Sequence, residues 1–190
     1  NIKHVVSFHS SIARSKDFME MTINAAAHDS KYAALSAFHV SGKDTAGKRS
    51  AVLDRFVSVS PSLITNARCL TEGVDIPTID AVLFADPKQS KIDIVQAAGR
   101  AMRKYDGKKF GYIIVPIVID ENMDEQLGNA FSQVINVISA LGMSDERIVD
   151  EFKAVILGKN RGGNIAEFSV TDTHAEIEFR QLLSDIDILI

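Results

Sequence analysis

A single cysteine, Cys69, stands in 190 residues, which excludes an internal disulfide and any zinc site built from several thiolates. In its apolar context it reads as a small buried residue. Long apolar runs are missing too. The longest, residues 110–119, falls well short of the ~20 residues that cross a bilayer, and Pro116 interrupts it. The first residues, NIKHVV, lack the long apolar region followed by small residues that marks a secretory leader, so the expected location is the cytoplasm. Positive charge is not in surplus. A net charge of −4 argues against indiscriminate nucleic-acid binding, although it leaves room for a local basic site. His4, His9, His28, His39 and His174 show neither H-x-x-x-H nor H-E-x-x-H spacing, which argues against a histidine-built metal site, and there is no Ser-His-Asp signature. Repeats and low-complexity tracts are absent.

What is present is a globular composition, 46% hydrophobic and 24% charged, enough for a packed core. Short apolar runs at 4–8, 35–40, 62–65, 81–85 and 112–118 alternate with helical patterns at about 11–28, 46–57 and 92–104. The runs are apolar on both faces and helices sit between most of them, the signature of a parallel sheet covered on both sides. After about residue 120 the pattern becomes helical. Helices are expected at 122–141 and 144–157 with Gly142 between them, then a polar break at 158–164, and Thr173 with Glu176 as a capping box opening a last helix. The expected organisation is an α/β domain over 1–120 and a helical extension over 121–190. The chain opens at Asn1 without a methionine and ends on Ile188, Leu189 and Ile190 within a helical pattern, which reads as a piece of a longer protein.

Residues 96–103 read QAAGRAMR. On a helix Gln96, Arg100 and Arg103 are spaced to share one face, while Val95, Ala98, Gly99 and Met102 point elsewhere and are apolar, so most of the helix is expected to be buried. Arginines on an otherwise apolar helix need an anionic partner, because an unpaired buried charge is costly. A structural salt bridge meets that need. So does a phosphate, whose oxygens fit the fixed fork of guanidinium donors. Upstream, TNARCLTEGVDIP places Gly73 where a tight turn or close backbone approach is possible, with Asp75 just beyond as an acceptor.

The stretch SGKDTAGKRS, residues 41–50, matches the phosphate-loop pattern G-x-x-x-x-G-K-[ST] at Gly42, Gly47 and Lys48. A self-sufficient nucleotide-binding enzyme is one reading, helped by IVIDE at 117–121, an apolar strand ending in Asp-Glu. Against it, Arg49 would put a cation where Mg²⁺ has to be coordinated, Asp44 would add a carboxylate where phosphates must enter, and QAAGRAMR would have no role. A non-enzymatic module that binds a partner through the helical tail is a third reading.

TEGVDIP followed by VQAAGRAMR resembles motifs V and VI of superfamily 2 helicases and translocases, Q-x-x-G-R-x-x-R being the hallmark of the second. VVSFHSS resembles motif IV, and FHVSGKDTAGKRSAVLDRF occupies the place of the family's strand, glycine turn and R-x-x-x-L-x-x-F helix. The wording NARCLTEGVDIP with AVLFADPKQSKIDIVQAAGRAMRK is closest to bacterial restriction-type and defence-type helicases. Thr65 lies further before Gly73 than in DEAD-box proteins, so contacts of that group transfer poorly to residues 67–71. The resemblance covers about residues 3–118.

It implies a RecA-like fold, the second of two motor domains that hold one ATP between them. Arg100 and Arg103 would be arginine fingers reaching the γ-phosphate. Gln96 and Gly99 would sit at the same nucleotide edge, and Gly73 and Asp75 near the ribose and the metal–phosphate side. ATP and Mg²⁺ would be held mainly by the N-terminal RecA-like domain of the same protein. Loops carrying Ser10, Ser41, Gly42, Lys43, Thr65 and Asn66 would face nucleic acid, DNA in preference to RNA, through phosphate contacts. In this reading SGKDTAGKRS is a glycine turn facing nucleic acid, with Leu53 and Phe56 packing inward from the helix that follows.

Overall fold

Runs rich in β-branched and apolar residues become strands β1 (His4–Phe8), β2 (Ser36–Ser41), β3 (Ser62–Ala67), β4 (Ala81–Phe84) and β5 (Tyr112–Ile114) in the computed structural model of the chain. It describes residues 2–67, 69–70, 76–86, 90–116 and 124–156. The strands form one parallel sheet in the order β2-β3-β1-β4-β5. Helices α1 (Ile12–His28), α2 (Ala46–Ser58) and α3 (Lys91–Ala101) fill the crossovers, and α4 (Asp124–Gly142) and α5 (Glu146–Ile156) follow. This is the expected parallel sheet flanked by helices. A short 3₁₀ turn at Ser30–Tyr32 was not expected. The capping box at Thr173 and Glu176, and the last helix it would open, lie outside the described residues.

Each crossover helix starts on a side-chain cap. Ser11, in extended backbone, accepts from the Arg14 N–H at 3.2 Å; Thr45 accepts from the Lys48 N–H at 3.3 Å; Ser90 accepts from the Asp93 N–H at 3.3 Å. Thr45 therefore ends the glycine turn, and Lys48 and Arg49 lie inside α2.

Register sets where the loops go. Phe8 pairs with Asn66 on one side and Phe84 on the other, and Asn66 pairs with Val40, so the carboxyl ends of β1 to β4 form one row. Loops leaving that row are where parallel sheets bind ligands. Val6, Val40, Ile64, Val82, Phe84 and, from α2, Phe56 are all at most 1% exposed and make the core. The edge strand β5 departs from the expectation of burial on both faces, with Tyr112 39% and Ile114 36% exposed. The expected run to 118 is strand only to Ile114, and residues 117–118 lie outside the described set.

The chain divides into two compact units, Asn1–Lys88 with Gln96–Pro116, and Gln89–Val95 with Ile117–Ile190. In the first, Gly111 passes under the end of α3: a Cβ there would collide with the Ala101 carbonyl and lie 2.6 Å from its carbon. Only glycine lets the chain return to β5 along that path. In the second, Lys91 Nζ donates to Ser139 Oγ at 2.8 Å, and Gly142 meets the Val149 side chain so closely that a Cβ would clash. No helix among the described residues is long and apolar enough to cross a membrane.

Candidate nucleotide and nucleic-acid site

The helix carrying QAAGRAMR buries Ile94, Ala97, Ala98 and Ala101, each 0% exposed. That spacing is the helical i, i+3, i+4, i+7 stripe. It narrows the expected burial: Val95 and Gly99 are half-buried and Met102 is 45% exposed. Gln96 and Arg100 follow one another up the flank of the stripe. Burial pushes the Arg100 guanidinium below its ordinary value, the mark of a charge set partly out of water. Arg103 is not on the same helical face. The helix ends at Ala101, the Arg103 N–H reaches the Arg100 carbonyl at 3.4 Å in a tighter turn, and the side chain is exposed.

Lys108, which the sequence pattern did not single out, holds that turn. Its Nζ donates to the Ile79 carbonyl at 2.5 Å and to the Arg103 carbonyl at 3.0 Å. Burial lowers its pKa, opposed by the Asp80 carboxylate. The arginine turn is thus fastened beside the amino end of β4, where the Tyr112 N–H also donates to the Asp80 carbonyl at 2.8 Å. Gly73 and Asp75 lie outside the described residues.

The other candidates sit at the opposite edge of the sheet. Ser10, Gly42 and Lys43 are exposed on loops leaving β1 and β2. Ser41 closes β2 and is 5% exposed. Thr65 and Asn66 need correction as contact residues: both are 0% exposed. Strand β3 does not end at Thr65 but runs to Ala67, because Asn66 Nδ2 donates to the Ser7 carbonyl at 3.0 Å and its Oδ1 accepts from the Leu70 N–H at 3.3 Å. Thr65 Oγ1 donates to the Phe38 carbonyl at 3.3 Å. They brace the loops from beneath.

Asp86 and Arg14 complete this edge. The Ser10 N–H and hydroxyl both donate to Asp86 Oδ2, at 2.8 and 2.9 Å, and Arg14 donates to Asp86 Oδ1. Burial works against the Asp86 carboxylate, but those donors outweigh it and hold its pKa below the usual range. Asp86 lies 76 residues from Ser10, a separation no local pattern reveals. The geometry counts against the phosphate-loop reading of Gly42, Gly47 and Lys48. Lys48 Nζ donates to Asp44 Oδ1 at 2.6 Å, and Asp44 Oδ2 takes the Ser41 N–H at 2.7 Å. The lysine and the loop N–H that phosphates would need are spent on a carboxylate. IVIDE lies outside the described residues.

Ser7, His9 and Asp86 do fall in the order of a hydrolytic triad, with Ser7 Oγ 2.7 Å from His9 Nε2 and His9 Nδ1 4.0 Å from Asp86. Ser7 is 0% exposed between two strands, so no substrate reaches it and the arrangement is structural. Among the described residues no cluster of His, Cys, Asp and Glu is placed to hold a metal ion. Cys69 is half-buried, and burial raises its thiol pKa against the opposing Arg49 charge.

Burial depresses His4, His9 and His39 from 6.5, in each case as the largest influence. The unfolded chain therefore takes up protons from about pH 6.5 downward while the folded chain resists them. Stability is expected to be level above that point and to fall as pH drops below it. Urea midpoints at pH 7.5 and 5.5 test this; an equal or higher midpoint at 5.5 contradicts it. The carboxylates act lower, Asp44 being lost only as pH falls from 3.8 through about 2.

The family model described as "Helicase conserved C-terminal domain" matches residues 2–105, more than half of the chain. The curated "Probable helicase A859L" of African swine fever virus (isolate Pig/Kenya/KEN-50/1950) is 32% identical over 93 residues, 49% of this chain and 11% of its own length. A solved "ATP-dependent Type ISP restriction-modification enzyme LlaBIII bound to DNA" aligns with 96% of this chain and 13% of its own at TM-score 0.74 and 33% identity. The C-terminal domain of the DEAD-box protein Dbp5 aligns at TM-score 0.51 and 18% identity over 80% of this chain and 82% of its own, which shows the fold alone. The chain thus spans 11% of the length of the viral relative and 13% of that of the restriction enzyme.

Proposed function

This chain belongs to the helicase conserved C-terminal domain family, of superfamily 2, and from that premise we propose that it is the second motor domain of an ATP-dependent DNA helicase or translocase. One observation carries the reading. The arginine turn lies beside the amino end of β4, and the loops of Ser10, Ser41, Gly42 and Lys43 lie at the carboxyl ends of β1 and β2. A motor needs that division: nucleotide chemistry on one edge, the nucleic-acid track on the other, and stiff strands between.

The donor set fits a nucleotide shared with another domain. Arg100, Arg103 and Gln96 offer guanidinium and amide N–H groups suited to phosphate oxygens, and no carboxylate among them suits Mg²⁺. ATP supplies the phosphoryl transfer; Mg²⁺ and most of the nucleotide would be held by an N-terminal RecA-like domain. Arg100 and Arg103 place positive charge where charge develops in the transition state. The open space around Gly99, where an added Cβ would meet nothing within 4 Å, keeps that flank of α3 clear. On the track, Lys43 and the exposed loop residues Ser10 and Gly42 position a strand through its phosphates without reading sequence, with Ser41 buried beneath them against Asp44. The preference for DNA is supported by the restriction enzyme, which is described as bound to DNA. The sheet domain is the motor part, and the region from about residue 121 is an extension to it.

Calorimetry of Mg-ATP against this chain tests the division of labour. Binding weaker than about 100 μM, or none, is expected. Low-micromolar binding that Lys48→Ala abolishes would overturn the two-domain reading and restore the phosphate loop.

A further inference from the structure

One small arrangement is built twice on the track edge. At Ser10 the N–H (2.8 Å) and hydroxyl (2.9 Å) converge on Oδ2 of Asp86, and Arg14 takes Oδ1 at 2.5 Å. At Ser41 the N–H (2.7 Å) and hydroxyl (3.0 Å) converge on Oδ2 of Asp44, and Lys48 takes Oδ1 at 2.6 Å. Local turn chemistry accounts for the second, since Asp44 is three residues from Ser41. It does not account for the first, whose acid comes from the loop after β4. The two serines end or follow β2 and β1, strands separated in the sheet by β3 alone.

A backbone N–H, a hydroxyl and a cation on one anion form the donor set that a phosphate diester takes. Here a carboxylate holds it in each case. The acid side chains are largely covered, 11% exposed for Asp86 and 13% for Asp44, whereas the cations are 64% and 67% exposed. Arg14 and Lys48 can therefore turn to another anion without unpacking anything, while the acids stay in place. Both acids are ionised at neutral pH, Asp44 with a pKa of about 2 through its bonds from Lys48 and Ser41.

We propose that Asp86 and Asp44 are internal stand-ins for backbone phosphate, which a bound strand must displace or share donors with, so that the track grips nucleic acid weakly by construction. The proposal rests on the reading that Ser10 and Ser41 face nucleic acid. Weak grip suits a motor that must release and rebind its track in every cycle. It also fits a domain that contacts nucleic acid while carrying a net charge of −4.

The test is an amide NMR titration of this chain with a short oligodeoxythymidylate, following the Ser10 and Ser41 resonances. Asp86→Asn and Asp44→Asn, each read separately, keep shape and remove charge, and the dispersion of the remaining amides reports whether each variant is folded. Half-saturation at Ser10 in D86N, and at Ser41 in D44N, is expected to fall about three- to tenfold below the unmodified chain. Half-saturation unchanged or raised in the folded variants overturns the proposal. If the Ser10 and Ser41 amides shift alike in all three proteins, the track stands and the stand-ins fall. If neither amide moves in any protein at millimolar oligonucleotide, the track reading fails and takes the proposal with it.

Discussion

Arg100→Ala is expected to lower ATP turnover by about 10³- to 10⁵-fold in a protein that joins this domain to its N-terminal motor partner, the scale on which arginine fingers act in related NTPases. Arg103→Ala should do the same. The two variants should differ in stability, however. Arg100 is half-buried on the flank of α3, so its removal disturbs packing, whereas Arg103 is exposed on the turn after the helix and its removal should lower the melting temperature less. Lysine should rescue neither position, because an ammonium lacks the planar fork that meets two phosphate oxygens. The loss should fall on kcat more than on KM if the guanidinium acts on charge that develops in the transition state. Steady-state turnover with saturating DNA measures all four variants. Full turnover in both alanine variants would make the arginines structural.

The alternation of strands and helices was legible in the sequence because the strands are short and apolar and each crossover helix opens on a capping residue. His4–Phe8 has the bounds the pattern gave it. What was not legible is informative. Thr65 and Asn66 looked like a strand-end loop because a hydroxyl and an amide in series read as polar and exposed. In an interior strand of a parallel sheet those groups bond to Phe38 and Ser7, on the two neighbouring strands, and are buried. The helical face shared by Gln96, Arg100 and Arg103 assumed a helix to 104. The Gly111 return under Ala101 and the Lys108 clamp belong to a helix that ends at Ala101. The partnership of Ser10 with Asp86 depends on β1 and β4 being neighbours, which is a property of the topology and not of either segment. Hydrophobic period reports which face a residue takes; it does not report which distant carboxylate shares its loop.

Phe56→Ala is the substitution expected to cost most in stability, about 3–5 kcal/mol by the usual scale for emptying a buried aromatic site. Phe56 is 0% exposed near the end of α2, its ring edge-on to Phe38 at 6.5 Å and to His4 at 5.3 Å between centroids. Its carbonyl also accepts from Ser62 Oγ at 2.9 Å, so α2 is tied to β3 at the same point. The site has little means of collapsing, because β1, β2 and β3 fix its floor through their ladders. A urea midpoint within error of the unmodified chain would contradict this account of the core. The effect should not stop at stability. The same helix begins at Ala46, and its first turns carry Lys48 against Asp44 and, through Asp44, hold Ser41. Loosening its far end should blur the Ser41 turn while leaving the Ser10 cradle, built from the start of α1 and the loop after β4, intact. It should also let water reach the His4 ring, whose pKa burial now depresses. The acid loss of stability between pH 7.5 and 5.5 should then be smaller in Phe56→Ala than in the unmodified chain. An equal pH dependence in the two proteins would show that Phe56 does not keep His4 dry.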